Sequence, residues 1–369
     1  MDGQPNEYEK GAKNMINDKD VQNGIIEKIF ANKNKYAEEI AAKIYEYMPE
    51  LKARYSLAQR EASLQDTIYH LEYLAHSILL NNPEIFGNYI YWVRNVLESR
   101  NIPKECLNIA VKAIQEVLSK YFSEDNFEVI LHSIEEAKKQ FSKPLPLQES
   151  FLKPDNPDYD LAKAYLEHVL NGRRNKARDL IINSVDNVLS IKRIFINVFQ
   201  PVQREIGRLW ETNKISVAQE HYCTALTQMI ISELYPHIFR EEKNGLTLVS
   251  ACVGGELHEL GIRMVTDYFE LNGWNTHYLG ANTPIESIVD TVLKYKADLL
   301  AISATMSTHI LEVQKLINQI RNTPAKDIKI MVGGYPFNLF EKLWQKVGAN
   351  AYAADAETAV KVATSLIEG

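Results

Sequence analysis

Apolar residues recur three and four apart over residues 22–48, 57–80, 83–99, 103–122 and 125–141, and each stretch predicts an amphipathic helix. Pro83 and Pro103 fall where a helix starts, at positions whose amide would be unpaired in any case. An all-helical first domain over 1–142 follows, with the polar, acidic Met1–Glu7 as a short tail. Residues 143–158 hold four prolines, which cannot continue a helix, and read as a linker. Helical spacing resumes over 159–170, 173–187, 191–211 and 216–236 with short joints, so residues 159–240 form a four-helix bundle. From Gly245 the pattern changes. Leu246–Ala251, Thr276–Leu279, Asp298–Ser303 and Ile328–Val332 are short apolar or β-branched runs between helical stretches, and Ala349–Ala353 is a weaker fifth. That alternation predicts a doubly wound, parallel, five-stranded sheet over 245–369, and an α + α/β chain as a whole. Ligands of such sheets sit beyond the carboxyl ends of the strands.

Composition narrows the function. The chain has 369 residues, 46% hydrophobic and 24% charged, an ordinary globular balance sufficient for two or three domains. No apolar run approaches the roughly 20 residues of a membrane span, and the N-terminus lacks the basic-then-apolar order of a secretory signal. The net charge of −7 has the wrong sign for a broad phosphate-gripping surface, which argues against nucleic-acid binding. Cys106, Cys223 and Cys252 are odd in number and far apart, so neither a disulfide framework nor a zinc site is expected. These features suit a cytoplasmic protein.

Chemistry concentrates at the strand ends. Gly255-Glu256-Leu257-His258-Glu259-Leu260-Gly261 follows the first strand, Ser303-Ala304-Thr305 the third, and Gly333-Gly334 the fourth. This set resembles the signature of the cobalamin-binding domain, D/E-x-H-x-x-G, then S-x-L/T, then G-G, and it implies a flavodoxin-like sheet. The resemblance makes His258 the lower axial ligand of cobalt, in place of the cofactor's own benzimidazole. Glu256, two residues away, would hold the other ring nitrogen and fix the tautomer. Gly261, Ser303 and Thr305 would contact the cofactor's displaced tail, and Gly333 and Gly334 would leave two Cβ atoms out of its path.

The bundle carries a second match. Trp210 is followed after nine residues by Glu220-His221, a spacing that resembles the light-responsive cobalamin sensors of the CarH type. There the bundle caps the upper corrin face, so Trp210 would pack on the adenosyl group of adenosylcobalamin while Glu220 and His221 bond its ribose. Those sensors have a histidine directly after the Trp, where this chain has Glu211, and they carry a DNA-binding domain that this chain lacks. A helical domain ahead of a cobalamin module also resembles the photocobilins, which add biliverdin. On that resemblance His70, Tyr73, His76 and Trp92 become candidate bilin contacts. The plainer reading is that Tyr69, Tyr73, His76 and Leu80 form a core stripe.

The first functional reading is therefore a cobalamin-dependent light sensor rather than an enzyme. Photolysis would shift the bundle and alter a homo-oligomer, dimer or tetramer, or the docking of a downstream protein partner. The alternative is a corrinoid carrier serving separate methyltransferases, which shares the bundle, the sheet and the lower histidine. A mutase subunit is disfavoured, since no (β/α)₈ barrel is present.

Overall fold

The computed structural model describes residues 7–145, 149–239 and 242–368. The chain forms two compact units, Met1–Pro146 and Leu147–Gly369. The boundary falls inside the proline-rich stretch.

The first unit is helical throughout: α1 (Glu7–Tyr47), α2 (Leu57–Leu79), α3 (Glu84–Ser99), α4 (Lys104–Leu118) and α5 (Glu124–Phe141), with one extra turn at Pro49–Arg54. Helix α1 begins well before the apolar periodicity does, because the spacing signal needs a buried face and the backbone does not. A Ser56–Gln59 capping box starts α2. Ile29, Ile40, Leu74, Phe86, Ile114 and Ile134 are fully buried between the helices.

The second unit opens with the bundle. Its helices are α6 (Tyr159–Leu170), α7 (Arg174–Ile182), α8 (Val188–Ile194), α9 (Gln200–Glu211) and α10 (Val217–Glu233), and a π-helical turn, Phe195–Phe199, joins α8 to α9. The third predicted helix is thus one helix with a wide turn in its middle. Pro201 explains part of it: with no N–H, it leaves the Asn197 carbonyl without its usual helical donor. Asn156 Nδ2 donates to that carbonyl at 2.8 Å instead, while Asn197 Nδ2 donates to Asp158. The Phe151 N–H donates to Glu205 at 2.9 Å, and Leu152 is buried in the bundle core. The second half of the proline-rich stretch is therefore laid along the bundle.

The sheet follows: β1 (Thr247–Cys252), α11 (Leu260–Glu270), β2 (Asn275–Tyr278), α12 (Ile285–Tyr295), β3 (Leu299–Ser303), α13 (Ile310–Arg321), β4 (Lys329–Gly333), β5 (Ala351–Tyr352) and α14 (Ala356–Glu368). All pairings are parallel, in the order β2-β1-β3-β4-β5. This is the flavodoxin-like order, and its switch point lies between β1 and β3. The expected α + α/β class, with a five-stranded doubly wound sheet, is the one observed.

Helix α11 belongs to two cores at once. Leu260, Met264, Tyr268 and Leu271 enter the core of the bundle, while Ile262 and Phe269 enter that of the sheet. Gln228 of α10 donates to Glu259, and Arg263 donates to Ser232 and Tyr235 across the same seam. Asp267 and Arg263 are less well served. Asp267 is 7% exposed, its Oδ2 accepts no hydrogen bond, and Arg263 Nε donates none.

Burial raises the Asp267 carboxyl to about 7, against the pull of the nearby Arg263 charge. An unfolded Asp releases its proton near ~3.9, so between about pH 4 and 7 the folded state holds the extra proton and stability falls as pH rises. Asp267→Asn is therefore expected to match wild type near pH 4 and to exceed it by on the order of a few kcal/mol at pH 7.5, read by urea unfolding. Met264→Ala is expected to cost about 2–5 kcal/mol, and to lower the midpoint of bundle and sheet together.

Candidate cofactor site at the strand ends

Cys252, Ser303 and Gly333 are in register across β1, β3 and β4, so the three predicted motifs leave the sheet at one level. The first loop turns sharply after β1. Gly255 has φ +84°, a left-handed conformation that glycine adopts without strain, and its N–H donates to Asn282.

Glu256 then points inward and is fully buried. Its Oε1 accepts from the His258 ring Nδ1 at 2.5 Å and from the His258 N–H at 2.9 Å. Its Oε2 accepts from the Thr305 N–H at 2.6 Å, the Met306 N–H at 3.2 Å and the His309 ring Nδ1 at 2.9 Å. Burial alone would raise this carboxyl. The two imidazoles and the backbone amides outweigh it and hold Glu256 far below the usual carboxylate range. The longer side chain, compared with Asp, still reaches both loops.

The charge of Glu256 in turn raises His258, against a smaller opposing effect of burial. A carboxylate can only accept, so His258 carries its hydrogen on Nδ1. Its side chain is 59% exposed, and Nε2 forms the outer end of the ring. That is the arrangement of a metal-ligating histidine with its orienting partner. Cys252, directly behind, is no ligand: burial, reinforced by the charges of Glu256 and Glu259, pushes its thiol up to about 12.

The second and third loops close around this pair. Ser303 is 8% exposed. Gly334 has φ +104°, and a Cβ there would lie 2.0 Å from the Ala304 carbonyl oxygen. The backbone itself demands that glycine, ahead of any need for clearance by a cofactor tail. A Cβ at Gly333 would lie 3.2 Å from the Ala353 carbonyl, whereas one at Gly261 would meet nothing within 4 Å.

The bundle end lies over the same region. Glu220 contributes to the raised His258, and Glu211, after burial, to the raised Tyr335 next to Gly334. Glu220 accepts from Thr224 at 3.0 Å, and the His221 side chain is 75% exposed. Trp210 is at the end of α9, half-buried. Glu220 is thus near His258, and Glu211, the residue after Trp210, is near Tyr335.

The other candidates sit within the helical unit. His70 Nδ1 and the Tyr89 hydroxyl are 2.9 Å apart, and Tyr73 stacks on Tyr89 with centroids 3.7 Å apart. Burial lowers His70 to about 4. His76 Nδ1 donates to the Glu72 carbonyl at 2.7 Å, and Trp92 is 36% exposed beside Tyr89. Three of these four are buried core groups engaged with neighbouring helices.

Sequence reasoning missed His309. It lies just beyond the S-x-T element, where a reading that stops at the motif does not look, and only the fold shows that it meets Glu256.

Two family models, each described as a B12 binding domain, match residues 246–363 and 161–235. The dimethylamine corrinoid protein of Methanosarcina barkeri is 30% identical over 170 residues, covering 44% of this chain and 77% of that one. The monomethylamine corrinoid protein 1 of Methanosarcina acetivorans is 28% identical over 193 residues, 50% of this chain and 87% of that one. The solved M. barkeri monomethylamine corrinoid protein covers 57% of this chain and 99% of its own, with 24% identity and a TM-score of 0.49. These relatives overturn the light-sensor expectation, because they are methylamine corrinoid proteins. The Trp210 to Glu220-His221 spacing therefore does not mark a sensor. No helix of the described residues is long and apolar enough to cross a membrane.

Replacing Glu256 by Ala leaves the His258, Thr305 and Met306 amides without their acceptor. The variant is expected to lose about 3–5 kcal/mol, the scale for breaking a buried charged network, measured by urea unfolding at pH 7.

Proposed function

This chain belongs to the corrinoid-protein family, and from that premise we propose that it is a methyl carrier: it holds a corrinoid through His258 and presents it to partner methyltransferases. The supporting observation is the Glu256–His258 pair, with the carboxylate buried and the ring held Nδ1-inward at the end of β1. When bound, the corrinoid supplies a cobalt centre that accepts and gives up a methyl group. Everything else is the work of the chain's own residues.

Glu256 fixes the tautomer and the aim of His258, whose Nε2 would hold the cobalt as a neutral ligand. Ser303, buried at the switch point, and Thr305 beside it would hold the tail of the cofactor. Gly261 leaves open space on the approach to α11. Gly333 and Gly334 let β4 and its loop pack closely on Ala353 and Ala304, which shapes the floor of the cleft. Trp210, with Glu220 and His221, would cover the bound corrinoid, and Glu211 acts on Tyr335 nearby. An upper face with a polar, partly exposed cover suits a carrier, which must be reached by a partner.

The M. barkeri and M. acetivorans relatives are named for dimethylamine and monomethylamine, and a methylated amine is the donor class we assign. The partner is then an amine methyltransferase, and this chain itself is not the enzyme. Adenosylcobalamin and biliverdin gain no support from the relatives and are not part of this reading.

The test uses the full chain loaded with hydroxocobalamin. Wild type is expected to give the spectrum of histidine-ligated, benzimidazole-free cobalamin, and His258→Ala to lose that signature. Glu256→Gln is expected to bind about 10–100-fold more weakly, read by equilibrium dialysis. With an amine methyltransferase, its methylated amine and a reductant, the loaded protein should take up the methyl group. A loaded protein inert towards such enzymes would overturn the carrier reading.

A further inference from the structure

The sheet ends on two edge strands. β5 has only Ala351 and Tyr352 and offers little to pair with, whereas β2 is open along its length. In a parallel ladder every second residue bonds the neighbouring strand. The Asn275 N–H donates to the Leu246 carbonyl at 2.8 Å and the Leu279 N–H to the Ser250 carbonyl at 2.9 Å. Asn275, His277 and Leu279 therefore turn their main-chain groups towards β1, and Thr276 and Tyr278 turn theirs outward. Proteins guard such an edge with proline, lysine or a bulge, and Asn275-Thr276-His277-Tyr278-Leu279 has neither proline nor lysine.

A groove of about 460 Å³ runs along this edge, between Thr276–Leu279 and the flank of α12 formed by Asp290, Thr291, Lys294 and Tyr295. The Tyr295 ring stacks on His277 with centroids 3.6 Å apart, which sets α12 over the strand. Asp290 and Lys294 are exposed on this flank. Neither forms an ion pair among the described residues, and Lys294 Nζ lies 5.0 Å from the centre of the Tyr295 ring. We propose that the β2 edge is where a second copy of this chain docks, strand antiparallel to strand, about a two-fold axis at His277. The proposal goes beyond the corrinoid reading and does not depend on it.

Symmetry argues for a second copy as the occupant. The two outward residues flank His277, so a two-fold axis there pairs Thr276 of each copy with Tyr278 of the other, and each pair exchanges both main-chain hydrogen bonds. The same axis reverses α12. Asp290 and Lys294 are four residues apart, about 6 Å along a helix, and Thr276 and Tyr278 are two apart, about 6.6 Å along a strand. The spacings match. The rotation that exchanges the two strand residues therefore also brings Asp290 of one copy opposite Lys294 of the other, twice. A patch whose charges are arranged in this way is complementary to itself, as a two-fold interface must be. A lone extended peptide would satisfy the strand and leave both helix charges to solvent.

The pairing closes as a dimer, because it uses up β2 and β5 is too short to extend it. It runs along the side of β2, so the strand ends that carry Glu256 and His258 stay outside it.

The experiment follows the full chain by sedimentation velocity from micromolar to submillimolar concentration. Wild type is expected to dimerise. Thr276→Pro removes an outward N–H that the fold does not use and is expected to be monomeric. Thr276→Val, which loses only the hydroxyl bond to Glu270, is expected to dimerise as wild type does. Asp290→Lys and Lys294→Asp each set like charges against each other, and each is expected to raise the dimer dissociation constant at least about tenfold. Mixed in equal amounts, the two charge variants regain opposite charges in both pairs and are expected to form a mixed dimer, which a folding defect would not produce. A monomeric wild type overturns the proposal, and a methyltransferase that binds this monomer but not Thr276→Pro would claim the edge instead. A wild-type dimer unmoved by Thr276→Pro and by both charge changes overturns it too, as do charge variants that stay apart when mixed. If Thr276→Pro does not fold, the charge variants decide.

Discussion

A fully buried carboxylate is a severe constraint on a fold. Removed from water, its charge is tolerated only where nearly every lone-pair direction meets a donor. Glu256 meets this condition with donors from two loops that are far apart in sequence, one after β1 and one after β3. Satisfying the charge therefore locks the two loops together. The third loop is locked to the second by steric contact, since Gly334 passes so close to Ala304 that no side chain fits between them. The outward presentation of His258 follows from these two constraints. Its ring is the one donor on Oε1 that also reaches solvent.

The same dependence explains what was legible in the sequence. Periodicity reports buried faces, so the helices of the first unit, the bundle and the five strands could all be read from it. Its blind spots are equally physical. It places the start of α1 later than Glu7. It also passes over the π turn, which comes from the missing N–H of Pro201 and from the Asn156 side chain that takes up the released carbonyl.

At the site, Glu256, His258, Ser303 and the glycine pair were visible because their spacing maps onto strand ends. His309 was not, since a contact between residues 53 apart depends on which strands are neighbours. The functional class was misjudged for a related reason. A Trp followed after nine residues by Glu-His at the end of a bundle does not by itself separate sensors from carriers. Spacing identifies the position of a residue but not the chemistry that passes beneath it.

The seam between bundle and sheet ties the strand-end loops to the bundle core. Helix α11 starts two residues after His258 and places Leu260, Met264, Tyr268 and Leu271 in the bundle core. Lifting the whole bundle would strip four large side chains from that core, at about 1.5–3 kcal/mol each, and would pull on the loop that holds His258. At the α9–α10 corner Trp210 is half-buried and His221 is exposed, and the Thr224 hydroxyl donates to Glu220 within α10 itself. Asp267 Oδ2 and Arg263 Nε, 4.0 Å apart, meet at the seam as an ion pair without a hydrogen bond, and the apolar residues on either side hold the seam closed.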